Sequence, residues 1–417
     1  METTTWLLIL AACGAFFMAF NNGANDVSNA FACTVGSKAL SMRKALVLGS
    51  SFTFLGAILL GGHVAIQLVD RLVDPGSFVD PLAYTLAMLA VLFSAGLFVL
   101  LSTLTGLPVS STHSIVGSLM GVNLVTLGVG ALDFRGMGTI ILSWILSPIL
   151  TGLVAFSAIH VLENYLFDLY QKRLKRKIQT RLPAMVAALA FLGITGILLS
   201  SKSPFLRAIS PFIWVGASLL FAACIWGFLQ QAVRRWVKRY VKNESILDGS
   251  FKKLQAWTAC AVAFGNGAND VSNSISPVIA IVWVLNKGTF PDASDHDAVP
   301  IWVLLLGAGG IMLGILTLGH RVMNTLGRKI TVLTPIRGFG IDLAVAIVVI
   351  WASTLGLPVS TTQAATGGVI GAGLAKGSSG LHIQLLTKIF LAWVVTVPFA
   401  ACITILIYHI FLFLAGL

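Results

Sequence analysis

Apolar residues run in blocks of about twenty from one end of the chain to the other, without the alternation of a half-buried strand. About twelve such blocks can be traced, at 5–36, 43–69, 82–104, 106–126, 138–165, 183–200, 204–230, 255–285, 300–320, 338–355, 356–375 and 383–414. A helix needs roughly 20 residues to cross a ~30 Å hydrocarbon layer. The pattern therefore predicts an all-α polytopic membrane protein, with about twelve transmembrane helices and no extramembrane domain. A closed barrel is excluded, because its alternating segments are missing.

Composition agrees: 57% of the 417 residues are hydrophobic, only 10% are charged, and the mean hydropathy is +0.93. The net charge of +12 invites a nucleic-acid reading, but the basic residues sit in short loops between spans. Lys38, Arg43 and Lys44 form one group, 172–181 and 234–253 two more, and Arg321 to Arg337 a fourth. Loops containing Asp70, Asp74 and Asp80, or Asp292, Asp295 and Asp297, lie between them. With the basic loops in the cytoplasm, the path is consistent and leaves both termini outside a cell membrane. The expected surroundings are a lipid bilayer, not nucleic acid. The first block lacks a basic leader and a cleavage site, so it is expected to remain as a span. The five cysteines lie in apolar segments without a CxxC pair, which suggests packed thiols rather than disulfides or metal ligands.

The chain repeats itself. FNNGANDVSN at 20–29 returns as FGNGANDVSN at 264–273, and GLPVSST at 106–112 returns as GLPVSTT at 356–362. Motif order and content both recur, at offsets of 244 and 250. Seven spans separate the two starts, an odd number, so the halves cross the membrane in opposite senses. The expected organisation is a first inverted repeat at 1–165, a connector with two helices at 166–254, and a second inverted repeat at 255–417. Inverted repeats interrupted by Gly or Pro point to a secondary transporter with its site near the midplane.

Asn-Gly and Asn-Asp favour turns over helix interiors, so each GANDVSN span is expected to break at its motif. The carboxylate of Asp26 and the amides of Asn22, Asn25 and Asn29 are hard oxygen ligands suited to a small cation. Turn formation, interhelical bonding and N-capping compete for these residues. Intramembrane carboxylates, however, cost at least ~2.5 kcal/mol and are functional by default.

Each GLPVS element ends in three hydroxyls, Ser110, Ser111 and Thr112 or Ser360, Thr361 and Thr362. Pro108 and Pro358 suit a helix start. The triplets should therefore stand at helix N-termini, where free N–H groups attract an anion, although ordinary capping is the competing role. Neither motif holds Lys or Arg, so an anion near Asp26 and Asp270 would need bound cations to offset the repulsion. His113 follows the first triplet and Gln363 the second; a hydrogen-bonding role is favoured over a proton relay. Asp342, in an apolar run, is either a gate or extra cation site, or a residue near a span end that reaches the interface.

With both motifs paired, the sequence resembles the PiT family of inorganic phosphate transporters over essentially its whole length. The resemblance implies symport of inorganic phosphate with sodium, or in other members with protons or as metal-phosphate complexes; sulfate permeases are similar. It implies no cofactor beyond the transported ions, and suggests a homodimer. Combined with the chemistry above, phosphate is expected at Asn25, Asp26, Ser110, Ser111, Thr112, Asn269, Asp270, Ser360, Thr361 and Thr362. Sodium is expected at Asn22, Asp26, Asn29, Asn266, Asp270 and Asn273. Residues 45–69 lack the acid often found in the family after the first motif, whereas Asp342 stands where a Glu is often found in the second half. No enzyme is expected. An intramembrane aspartyl protease on Asp26 and Asp270 is disfavoured, since both acids occupy the same GANDVSN frame, whereas an acid and base pair needs unlike surroundings. A passive channel would use the same half-helix ends.

Overall fold

The computed structural model describes residues 2–72, 78, 80–128, 134–170, 245–287, 299–329, 334–375 and 383–417, with isolated positions between 210 and 231. The expected span 183–200 lies outside the described residues, as does most of 204–230.

Ten long helices fill the described residues: α1 (Glu2–Gly36), α2 (Met42–Leu72), α3 (Pro81–Leu104), α4 (Ser111–Leu127) and α5 (Phe134–Tyr170), then α6 (Ser245–Lys287), α7 (Ile301–Lys329), α8 (Pro335–Thr354), α9 (Thr361–Ala375) and α10 (Ile383–Ala415). Eight of them, all except α4 and α9, are long and apolar enough to cross a membrane. At 17 and 15 residues, α4 and α9 fall short of the ~20 a crossing needs.

Packing is reciprocal between the two sets of five. Helix α1 lies on α7 as α2 lies on α6; α4 packs on α10 as α9 packs on α5; and α3 meets α10 as α5 meets α8. The glycines show why. A Cβ on Gly56 would strike the Phe264 carbonyl, and one on Gly314 would strike the Phe20 carbonyl. Phe20 and Phe264 open the two copies of the motif. Between apolar helices in lipid, close backbone approach replaces the hydrophobic drive as the source of packing. Large apolar side chains on α5 and α10, among them Leu142, Ile145, Leu153, Val394 and Phe399, face outward, as a bilayer requires. Cys13 and Cys402 are exposed rather than packed, whereas Cys260 is buried.

The expected break in the GANDVSN spans is not found. Helix α1 runs unbroken from Glu2 to Gly36 through the first motif, and α6 from Ser245 to Lys287 through the second. The amides of Asn22, Asn25, Asn29, Asn269 and Asn273 find partners outside their own helices instead of competing for their own backbone.

The chain interrupts its helices at GLPVS. Gly106 and Gly356 adopt φ of 71° and 66°, open to glycine and strained for other residues. Around them, Leu107 N–H donates to Ser102 O at 2.9 Å and Gly106 N–H to Thr103 O at 3.1 Å. Leu357 N–H donates to Ala352 O at 3.0 Å and Gly356 N–H to Ser353 O at 3.1 Å. This is the Schellman ending of a helix, used twice. Pro108 and Pro358 then stand just outside the next helix rather than in its first turn, as the sequence suggested. Ser110 is the N-cap of α4, accepting from His113 N–H at 3.2 Å, and Ser360 accepts from Gln363 N–H at 3.3 Å. Each element thus closes one helix and opens the next within a few residues.

Candidate functional site

Asp26 and Asp270 sit deep inside α1 and α6, 3% and 2% exposed, and the openings of α4 and α9 come to them. The Ser111 hydroxyl donates to Asp26 Oδ2 at 2.6 Å, and Asn29 Nδ2 to Asp26 Oδ1 at 3.2 Å. Thr361 lies against Asp270 in the matching place, and the two carboxylates are close enough to interact electrostatically.

The asparagines tie the motifs together. Asn25 donates to Thr103 Oγ1 and Leu107 O, both at 3.1 Å, and accepts from Val109 N–H at 3.2 Å, so it clamps the turn of its own half. Asn269 holds the second turn through Leu357 O at 3.2 Å. Asn29 and Asn273 reach across. Asn29 Nδ2 meets Thr361 Oγ1 at 3.1 Å and Thr362 Oγ1 at 3.0 Å. Asn273 Nδ2 meets Ser111 Oγ at 3.3 Å and Thr112 Oγ1 at 3.4 Å. The threonines complete the exchange: Thr112 donates to Val359 O and Thr362 to Val109 O, each at 3.1 Å. Asn22 donates to the Asp270 carbonyl at 2.8 Å, whereas Asn266 finds no protein partner for either end of its amide.

Asp26 and Asp270 open on one small cavity, with Gly23, Thr53, Asn266 and Ile311 also in its walls and a volume of about 10 Å³. That admits about one water or one bare ion, and is far too small for a tetrahedral oxyanion. The acceptors on its α6 side are free: Asp270 Oδ1 and Asn266 Oδ1 are buried without a hydrogen-bond partner. Two carboxylates, the Asn266 amide and the Thr53 hydroxyl around a space of that size form a hard donor set, which suits an alkali or alkaline-earth cation rather than a soft metal.

The six hydroxyls and the eight motif Asn and Asp residues expected at the site form one buried cluster. Asp342 belongs to another: Thr34 donates to its Oδ2 at 3.2 Å, Gln255 lies beside it, and Ser37 donates to Gln255 Oε1 at 2.7 Å. At 1% exposure, Asp342 does not reach an interface, which removes that alternative. His113 packs behind the triplet, its ring 3.9 Å from that of Trp144 and its Nδ1 3.4 Å from Trp393 O.

Thr53, Thr103 and Gln255 escaped the sequence reading. Thr53 and Thr103 look like ordinary polar packing in apolar helices. Gln255, just after Lys252 and Lys253, looks interfacial although it is fully buried.

A polytopic helical protein in which two matched sets of helices close around buried acids, with short helices opening onto them, has the architecture of a membrane transporter. Residues 22–404 match the phosphate transporter family, and the chain belongs to that family. It is 34% identical over 416 residues to a Haemophilus influenzae protein named "Putative phosphate permease", covering 97% of each chain. It is 36% identical over 410 residues to a protein of the same description from Thermococcus kodakarensis, again covering 97% of each. A solved structure, "The sodium-dependent phosphate transporter", superposes with a TM-score of 0.87 at 34% identity, covering 97% of this chain and 98% of that one. Family and fold are those of a permease, not an enzyme.

Proposed function

We propose that the protein is a sodium-coupled symporter of inorganic phosphate working by alternating access, with Asp26 and Asp270 as cation ligands and the two hydroxyl triplets as phosphate ligands. Phosphate transport follows from the family. Sodium coupling is supported by the hard oxygen cavity, and by the sodium dependence stated for the structural relative.

The observation that carries the coupling is the 2.6 Å bond from Ser111 to Asp26. While Asp26 is an unneutralised carboxylate, it holds the Ser111 proton and repels an oxyanion, by roughly 3 kcal/mol per charge pair at ~5 Å and an effective dielectric of ~20. A cation on Asp26 removes the repulsion and competes for the same carboxylate, so the hydroxyl is released to donate to phosphate. Thr361 beside Asp270 repeats the device. The N–H groups at the starts of α4 and α9 add the positive ends of two helix dipoles to the anion position. One cation-dependent rearrangement of donors thus links the two ligands, and phosphate does not bind well without the cation.

The reciprocal packing supports the division into inverted repeats at 1–165 and 255–417 with a connector between them, and alternating access in which one half rocks against the other around the fixed acids. Cytoplasmic basic loops, external termini, a cell-membrane location and a homodimer complete the proposal; cross-linking in native membranes tests the last.

Purified protein in liposomes tests the coupling. Phosphate should accumulate when sodium is high outside, and should fail to do so when a proton gradient replaces it. Accumulation driven equally by protons alone would replace sodium with the proton-coupled reading, and competition by excess sulfate at phosphate-like concentration would move the substrate to sulfate.

A further inference from the structure

The two halves of the cation cavity are not equivalent, and the difference lies in a residue outside both motifs. Gly23 of the first motif abuts the carbonyl of Ile311 on α7, and Gly267 of the second abuts the carbonyl of Thr53 on α2. Ile311 and Thr53 are therefore structural counterparts, and both line the cavity. One presents a hydrocarbon side chain, the other a hydroxyl.

The free acceptors are distributed with the same asymmetry. On the α1 side, Asp26 has Ser111 on one oxygen and Asn29 on the other, Asn22 Oδ1, although also without a partner, lies outside the cavity wall, and the residue facing Asp26 from α7 is Ile311. On the α6 side, Asp270 has Thr361 beside it but keeps Oδ1 free, both ends of the Asn266 amide are buried without a partner, and the neighbour from α2 is Thr53, itself 5% exposed. Burying an acceptor with nothing to bond is costly, and two uncommitted oxygens on one wall of an ion-sized space, with the Thr53 side chain beside them, are what a hard cation would satisfy.

We infer that Thr53 is a cation ligand, completing with Asp270 and Asn266 a first-filled cation position on the α2–α6 side, while the Asp26 side fills second. This rests on the sodium-symport reading and adds an order to it. The first cation enters where oxygens are already free. The second must displace Ser111 from Asp26, which also makes the room that a one-ion cavity lacks, and that displacement is the step that readies the hydroxyl for phosphate. Ile311 leaves the second position one ligand poorer, so it holds its ion less tightly and loads with the anion.

Sodium titration of the purified full-length protein, by equilibrium binding of radioactive sodium without phosphate and by phosphate uptake in liposomes, tests the assignment. In Thr53→Val, which keeps the shape but loses the oxygen, half-saturating sodium should rise about tenfold in both measurements, while half-saturating phosphate at saturating sodium stays as in the parent. Thr53→Ser should behave as the parent, and Ile311→Thr, which supplies the missing oxygen on the other side, should lower half-saturating sodium for uptake. Unchanged sodium binding in Thr53→Val, or a Thr53→Ser as impaired as Thr53→Val, would overturn the role of the hydroxyl. If Thr53→Val does not fold, Thr53→Ser and Ile311→Thr decide: loss of sodium affinity in the first, or no gain in the second, counts against the assignment. A parent protein that binds no sodium and transports without it would instead overturn the symport reading beneath.

Discussion

Gly23 lies so close to the carbonyl oxygen of Ile311 that a single methyl group on its Cα would overlap it, and Gly267 stands in the same relation to Thr53. These contacts set the distance between the motif helices and the helices that face them, and so the width of the cavity between Asp26 and Asp270. Gly23→Ala and Gly267→Ala should each destabilise the protein by about 1–3 kcal/mol through overpacking, lowering its apparent Tm in detergent. Gly309→Ala, where a Cβ meets nothing within 4 Å, should leave Tm unchanged; equal losses in all three would mean that helix approach is not the cause.

Asp26→Asn and Asp270→Asn keep the size of the side chain and remove the charge that a cation needs. Each should reduce sodium-driven phosphate accumulation at least a hundredfold and remove the stabilisation that sodium confers on the parent, while gel filtration and circular dichroism stay those of the folded protein. Asp26→Asn should also be the better folded of the pair, because Ser111 and Asn29 remain to bond the amide. Near-normal uptake in either variant would remove the acids from the transport step.

Most of the fold was legible because a membrane constrains it: block length located the ten described helices, although α6 begins at Ser245 rather than 255 and α7 runs to Lys329 rather than 320, and the repeated motifs located the residues of the cluster. What misled was reading Asn-Gly and Asn-Asp by their preferences in water. In α1 the amides of Asn22, Asn25 and Asn29 bond to other helices, so they do not compete for their own backbone and the helix passes through. The interruption fell instead where Gly106 and Pro108 jointly end α3 and exclude its continuation. Thr53 was hidden for a different reason. A hydroxyl in an apolar helix is distinguished only by what faces it, and that is a property of the folded chain.

Neighbouring hydroxyls of a triplet have separate tasks, and substitution separates them. Ser110 bonds to backbone at the start of α4, so Ser110→Ala should cost about 1 kcal/mol of stability, as the loss of an N-cap does, and raise half-saturating phosphate less than Ser111→Ala does. Ser111 bonds to Asp26, so Ser111→Ala should raise half-saturating phosphate roughly ten- to a hundredfold, the loss of one hydrogen bond to a charged group. Uptake kinetics and thermal unfolding on the same preparations distinguish them, and the opposite pattern would exchange their roles.

Asn29 and Asn273 reach hydroxyls on the opposite half of the molecule, so they should report on how the halves are joined rather than on either alone. Asn29→Ala removes donors to Thr361 and Thr362, and Asn273→Ala removes those to Ser111 and Thr112. Each loosens one short helix from the motif of the other half, and each should raise half-saturating phosphate. The double variant should show less than the sum of the two free-energy losses, because both amides hold the same interlocked pair of helix starts, and contacts that share partners are not additive. A double-mutant cycle on phosphate affinity at saturating sodium measures this coupling. Strict additivity within ~0.3 kcal/mol would mean that the two crossings act independently, and that the halves meet the anion as separate binding surfaces rather than as one.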